Sequence, residues 1–213
     1  MNILLPPSRR QALGGQLTWS ESCGVLGPEL SAHRSAVLDE IARHTGDDLR
    51  ESLAIPAGDR FRGVVYEHIG TETLDAKAKE VSSGVLIISP LLGVVGWNDP
   101  IPAHRLEFSD RFDLTGRLAR YWPQHLTGPL FGMDLTVGLL PEEHRKVLRN
   151  VTGVLHCSVV RADNGRGGHD AKAAKGRFVR ALLLEGDLDE GDFLSFAVSY
   201  VDGLWRVIPH SGN

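Results

Sequence analysis

Residues Val154 to Arg180 read VLHCSVVRADNGRGGHDAKAAKGRFVR, and the succession of patterns within them decides the fold. Val154 to Val160 is short and largely apolar, as a buried strand is. A polar turn with three glycines follows, Gly165, Gly167 and Gly168. From near Asp170 the pattern becomes helical, with Ala174, Phe178, Ala181 and Leu182 at the four-, seven- and eight-residue spacings of a buried stripe. Strand, turn and helix in that order form one unit of an α/β sheet.

The same turn and helix carry charge. From Arg161 to Arg180 there are six Lys or Arg against two Asp, while the whole chain has a net charge of −4. His169, Lys172 and Lys175 are spaced by three and can share a helix face. Glycines before a helix let a ligand approach the backbone, and the first-turn N–H groups and the helix dipole favour an anion there. A flexible turn before a solvated basic helix has the same spacing. The turn is not a P-loop, since no Gly-Lys-Ser/Thr follows Gly165, and no acid stands where the dinucleotide pattern needs one.

Working outward, Val85 to Ser89 (VLIIS) is a second buried strand, short and β-branched. It opens into PLLGVVGWNDPIP, whose glycines and prolines predict turns or very short helices. Asn2 to Leu5 is a strand stopped by Pro6 and Pro7. Ser8, Arg9 and Arg10 come next, at the end of an inner strand where α/β sheets place ligands, unless they are a solvated loop. Phe131 to Leu140 reads as a strand interrupted by Gly132 and Gly138, and Arg105 to Phe108 as a short strand. Helices are expected over Pro28–His44, closed by Gly46, over Leu114–Leu126, and over Pro141–Asn150 with proline first. Shorter ones are expected at Asp47–Leu53, capped by Asp47, and at Thr73–Val81. Gln11 to Gly27 is loop. Phe193–Val201 and Leu204–Ile208 form a hairpin about Asp202-Gly203. The expected class is α/β (mixed α+β): a single domain over residues 1–213, with a mixed β-sheet flanked by helices.

The 213 residues are 42% hydrophobic and 23% charged, enough for a real core, and the pI near 6.1 excludes a globally basic nucleic-acid binder. Any anion site is therefore local. Cys23 and Cys157 lie far apart without metal spacing, which suits a reducing compartment. No leader pattern and no membrane-length apolar run is present, so a cytoplasmic protein without membrane contact is expected. The nine histidines contain no HExxH or His-x-His grouping. His68 beside Glu67 and His104 near Glu107 read as structural, and neither metal nor cofactor is expected. There is no GxSxG elbow, and Ser8 and Ser83 lack a base nearby in sequence. Lys172 is either a nucleophile or general base with a depressed pKa, or a fixed positive charge. Trp97 and Trp122 offer stacking faces but fit a core equally well.

Four separated blocks resemble one family, the YaaA-like peroxide-stress proteins. The N-terminal block LISPAKTL is matched by Ile3 to Arg9, and FKGDVY by Phe61 to Tyr66. The central LSGLYGVLRP…QPYRLEMG is matched by Ile88 to Gly96 and then Ile101 to Glu107. The late AKKARGLMSR is matched by Ala171 to Arg180. The resemblance implies a mixed α/β domain with a positively charged cleft. It also implies a DNA binder that protects cells from oxidative damage, partly by limiting free iron. The family's helix-hairpin-helix element would fall at Ser89 to Gly96, where such a hairpin presents N–H groups to phosphate.

This chain departs from the pattern at Pro90, Leu92 and Gly96 in the hairpin, at Val64, and at His104. Pro90 removes a donor and Gly96 a cation. The cleft cations that remain are Arg9, Arg62, Arg105, Lys172 and Lys175, and His169 and Arg180 join them as candidate anion-binding residues. Their implied ligand is DNA or another phosphate-rich molecule. The alternative is an enzyme acting on a small anionic substrate, a nucleotide or a carboxylate, with Ser8, Tyr66, Glu107 and Lys172 as catalytic groups. A third is an interaction protein whose basic patch meets an acidic partner. Whether the chain is an enzyme, and its oligomeric state, stay open at this level.

Overall fold

The computed structural model describes residues 2–74, 84–130, 136–149, 151, 153–159, 168–185, 191–193, 196–201 and 204–209. The N-terminal part contains β1 (Asn2–Leu5), β2 (Arg10–Gln11), α1 (Gly27–Thr45), β3 (Ala54–Pro56), α2 (Ala57–Arg60), β4 (Phe61–Arg62) and α3 (Val64–Ile69). The middle contains β5 (Val85–Ser89), β6 (Gly93–Gly96), β7 (Pro100–Pro102), β8 (Arg111–Phe112), β9 (Gly116–Arg117) and α4 (Leu118–Leu130). The last part contains β10 (Thr136–Gly138), α5 (Glu142–Arg145), β11 (Val154–Val159), α6 (Gly168–Glu185), β12 (Gly191–Phe193), β13 (Phe196–Val201) and β14 (Leu204–Pro209).

Eight strands make one mixed sheet in the order β12-β13-β14-β11-β10-β1-β5-β6. The inner five, from β14 to β5, are parallel. Antiparallel strands close both flanks, β13 and β12 on one side and β6 on the other. Both faces of a parallel sheet are covered, and the inner strands are accordingly near-continuous apolar runs. Ile3, Leu4, Leu5 and all of Val85–Ile88 are buried. Helices α1, α3, α4 and α6 contribute Leu30, Val37, Leu38, Ile69, Trp122, Leu126, Phe178 and Leu182 to the same core. The mixed α/β class read from the sequence is the one observed.

Helix α1 ends where Gly46 takes φ 77° and its N–H returns to Ala42, a conformation glycine adopts without steric cost. Its buried face holds Leu30, Val37, Leu38 and Ile41 as the spacing predicts, and also Arg34 and Glu40. Arg34 lies within the core and donates to the carbonyls of Glu21, Cys23, Val25, Leu92 and Val94. Burial pulls its pKa down to about 10. Arg60, equally buried, donates to Ala12, Gly14 and Ile101. These two forks satisfy carbonyls of loop segments and of the short strands β6 and β7.

Several expectations are corrected. Ser89 to Gly96 contains no helix. It is the turn and second strand of a β-hairpin, with Ser89 pairing Gly93 and Leu86 pairing Gly96, and each of its residues is buried. The Leu92 N–H goes to Ser89 Oγ and the Pro90 carbonyl accepts from Trp122 Nε1. A helix-hairpin-helix phosphate contact at this place is overturned, because its backbone groups face the core. PLLGVVGWNDPIP likewise holds strands β6 and β7, since Val94, Val95 and Ile101 find antiparallel partners. Arg105 to Phe108 is not a strand; Glu107 N–H instead turns onto Asp110. Helix α4 begins at Leu118, because residues 111–117 close a small hairpin whose Leu114 N–H is held by the buried Glu40 carboxylate. Pro141–Asn150 divides into α5 and a 3-10 turn at Lys146–Leu148. The short helix after α1 is a 3-10 turn capped by Asp48, one residue beyond the expected Asp47. Residues 161–167, most of Thr73–Val81, Ser83, residues 131–135 and Asp202-Gly203 lie outside the described residues. The pairing of Val201 with Leu204 agrees with the expected hairpin.

Candidate functional site

Strand β1 pairs with β5 on one side and with β10 on the other. The chain therefore extends the sheet in one direction from β1 to β5, and later fills β10, β11 and β14 in the opposite direction. The strand order reverses between β1 and β10. In open α/β sheets a ligand crevice lies beyond the carboxyl ends of the two strands at such a reversal. Here those ends run into Pro6–Arg9 and Leu139–Pro141. Leu139 joins them: its N–H donates to Leu4 on β1 at 2.9 Å.

The β1 side is built from contacts to α3 and to the Arg105–Asp110 loop. Tyr66, buried on α3, donates its hydroxyl to the Pro6 carbonyl at 2.7 Å, and burial pushes its phenol well above the ordinary range. Its ring stacks on Trp97 and leans on Phe61. Ser8 donates to the Arg62 carbonyl, and β2 pairs with β4 so that Arg10 stands opposite Arg62. Gly63 has φ 143°, and a Cβ there would lie 2.9 Å from Ser8 Oγ, so glycine is required for this approach. At the surface Arg9 pairs with Glu107 at 2.8 Å and Arg10 with Glu67 at 3.4 Å. These exposed pairs orient side chains and add little stability.

The β10 side is built from three elements that meet on Gly138, Leu139 and Leu140. Lys175 of α6 donates Nζ to the Leu139 carbonyl at 2.8 Å. Arg145 of α5 donates Nε to the Leu140 carbonyl at 3.1 Å. His156 of β11 stands beside Gly138, where a Cβ would lie 3.1 Å from its Nδ1. Burial, with the nearby Arg145 and Lys172 charges acting in the same sense, lowers the Lys175 pKa to about 8. Burial also lowers His144 and His156; Glu143 opposes and Lys175 reinforces the shift at His144, and Arg145 reinforces it at His156. The two sides touch where the His144 ring meets Phe108, 5.4 Å between centroids, next to Glu107.

The predicted residues divide accordingly. Ser8, Arg9, Arg62 and Glu107 come together around the β1 loop, with Arg105 exposed two residues from Glu107. Lys172 and Lys175 flank the β10 end, and His169 is exposed in the first turn of α6. Tyr66 positions the loop through Pro6, its proton committed at neutral pH. Arg180 lies further along α6 and donates to the carbonyls of Ile69 and Gly70, closing the end of α3. The sequence reading missed His144, Arg145 and His156. The pair His144-Arg145 follows Pro141 just past β10, and that position is the signal that would have found them.

Helix α6 reaches this place because it packs closely on α3. At Gly176 an added Cβ would lie 2.4 Å from the Val65 carbonyl oxygen and 2.6 Å from His68 Cβ. Among the described residues, no group of three or more His, Cys, Asp or Glu is arranged to hold a metal, and no helix is long and apolar enough to cross a membrane.

Comparison with known proteins matches residues 25–197 to the family described as peroxide stress protein YaaA. A UPF0246 protein of Streptomyces coelicolor is 28% identical over 227 aligned positions, covering 90% of this chain and 86% of that protein. A UPF0246 protein of Corynebacterium efficiens is 27% identical over 210, covering 85% and 84%. One from Streptococcus pyogenes is 35% identical over 75 residues, about a third of each chain. The family match takes in α1, α3, most of the sheet, and α5 and α6 with Arg145 and Lys175, and the chain belongs to the YaaA peroxide stress protein family.

Proposed function

We propose that this YaaA-family chain binds a phosphate-bearing anion in the crevice between the β1 loop and the end of β10, and that this binding underlies a role in protection from oxidative damage. The observation that carries the reading is the convergence of Lys175, Arg145 and His156 on Gly138–Leu140, at the reversal of strand order. Cations held by backbone carbonyls are preorganised, so an arriving anion meets fixed charge rather than mobile side chains. The neighbours that depress Lys175 are themselves cations, and a bound anion relieves that repulsion. Arg9, Arg62, Arg105, Lys172 and His169 supply the outer, exposed part of the same positive region.

A small ligand suits this site better than a duplex, because the buried β5–β6 hairpin offers no N–H groups to a sugar-phosphate backbone. The crevice also has groups for an enzymatic step, with Ser8, Glu107 and Lys172 at its edges. Titration with a labelled duplex and with a panel of nucleotides and carboxylates tests both readings. A nucleotide that raises the melting temperature, with the effect lost in Lys172→Ala plus Lys175→Ala, supports the small-anion site. Duplex binding that weakens with salt and loses about one unit of slope per lysine removed supports DNA instead. The absence of both responses sinks the proposal.

A further inference from the structure

Resting on that reading, we infer that the ligand presents a terminal, doubly charged phosphoryl group, and that His144 and His156 take up protons as it binds. Both imidazoles leave a buried Nδ1 without a hydrogen-bond partner among the described residues. Buried polar nitrogens are rarely left unmade, and several on one site mark a place that something else completes. His144 stands on α5 beside Phe108, with Glu143 4.0 Å from its Nε2 and Lys175 as its cationic neighbour. His156 stands on β11 over the side-chain-free face of Gly138, with Arg145 as its neighbour. Among the described residues, the titratable neighbours also include Lys172 and Lys175 from α6 and Cys157 next to His156. The Cys157 thiol is pushed up to about 12 by burial, so it stays protonated and neutral.

The chemistry of these groups selects among phosphates. An imidazole crowded by burial and by a cation stays neutral until an anion arrives, and then a proton on it becomes favourable. Each proton bound turns an unpartnered nitrogen into a charge-assisted donor. A phosphomonoester brings two charges and three terminal oxygens, enough for Lys175, Arg145 and two imidazolium donors together. A phosphodiester brings one charge and two free oxygens, and leaves part of the site unmatched. The site therefore prefers the end of a nucleotide or sugar phosphate to the middle of a nucleic-acid strand.

Calorimetric titration of the whole protein at pH 7.5 with methyl phosphate, dimethyl phosphate and sulfate tests the inference, run in two buffers of different ionisation enthalpy. Sulfate does not titrate near neutrality, so protons taken up with it belong to the protein. Uptake beyond the roughly one quarter of a proton that Lys175, with a pKa of about 8, can add at pH 7.5 belongs to the histidines. Methyl phosphate and sulfate are expected to bind at least about tenfold more tightly than dimethyl phosphate, with net proton uptake on sulfate binding. The double variant His144→Asn/His156→Asn is expected to lose all but the Lys175 share of the uptake and to bind sulfate about tenfold more weakly. Equal binding of the two methyl esters, or binding of sulfate with no more proton uptake than Lys175 supplies, overturns the inference while leaving the anion site in place. Those two wild-type results decide the matter if the double variant does not fold. If none of the three anions binds, the crevice reading itself fails.

Discussion

Lys175 on α6 holds the carbonyl of Leu139 at 2.8 Å, while the N–H of the same residue is bound to Leu4 on β1 at 2.9 Å. One peptide segment thus ties the helix to the strand on the far side of the reversal in sheet order. The ammonium group is fixed at the end of β10, away from open water and beside other cations. Its chemistry follows from that placement.

Lys175 should titrate near pH 8, where burial and the Arg145 and Lys172 charges place it. The 13Cε resonance of Lys175, identified by its loss in Lys175→Arg, reports this directly. A midpoint close to that of an ordinary lysine, about 10.4, contradicts the proposed environment. Arg145→Ala should raise the midpoint, since it removes a repelling charge.

Gly176→Ala should lower stability by about 1–3 kcal/mol, the usual cost of overpacking. The added methyl meets the Val65 carbonyl and His68, so α3 and α6 must separate. Because Tyr66 on α3 holds Pro6, the β1 loop should move with α3, and anion binding should weaken along with the urea midpoint. A variant as stable as the parent would show that the two helices do not pack as closely as described.

His104 makes stability depend on acid. It is 9% exposed, neither ring nitrogen has a partner among the described residues, and burial together with Arg60 brings its pKa to about 4. The folded value lies below the unfolded one, near 6.5, so the unfolded chain binds more protons between these two pH values. The contribution is intact above about pH 6.5 and is lost as pH falls towards 4, with a slope of up to about 1.4 kcal/mol per pH unit from this one group. Burial of His144 and His156 acts in the same sense. Denaturant titrations from pH 7.5 to 4.5 should show the decline, and His104→Gln should flatten it by close to one proton. An unchanged slope in the variant would assign the decline to other groups.

Arg34→Met should destabilise the fold by about 3–5 kcal/mol, as expected when a buried hydrogen-bonded charge is removed and its partners stay buried. The carbonyls of Leu92 and Val94 would lose the donors that face them. Arg34→Lys should recover only part of the loss, because an ammonium group cannot span five carbonyls as the guanidinium fork does. Urea midpoints for the two variants check the order.

The sequence made the sheet legible where local pattern and tertiary demand coincide. Val85–Ser89, Val154–Val159 and the last hairpin are strands because their apolar runs are short and β-branched or alternating. Helix α1 was legible from its stripe and from Gly46. Residues 89–102 were not, because glycine and proline there serve a buried hairpin and an edge pairing that only distant partners reveal. Phe61 to Ile69 changes from strand to helix at Gly63, whose required φ has no signature in hydrophobic periodicity. At the site, Ser8, Arg9 and Glu107 could be named, since strand ends and resembling blocks point to them. His144 and Arg145 had only their place just past a strand end to mark them, and His156 had no local signal, because its meeting with them depends on which strands flank β10.

The location of the anion site is the central claim, and an amide 1H–15N titration of the whole protein with methyl phosphate tests it most directly. Shifts should concentrate at Ser8–Arg9, Leu139–Leu140, Arg145 and Lys172–Lys175, and should vanish in Lys175→Met. Shifts confined to other surfaces, such as the 111–117 hairpin, or a response that Lys175→Met leaves intact, would contradict it.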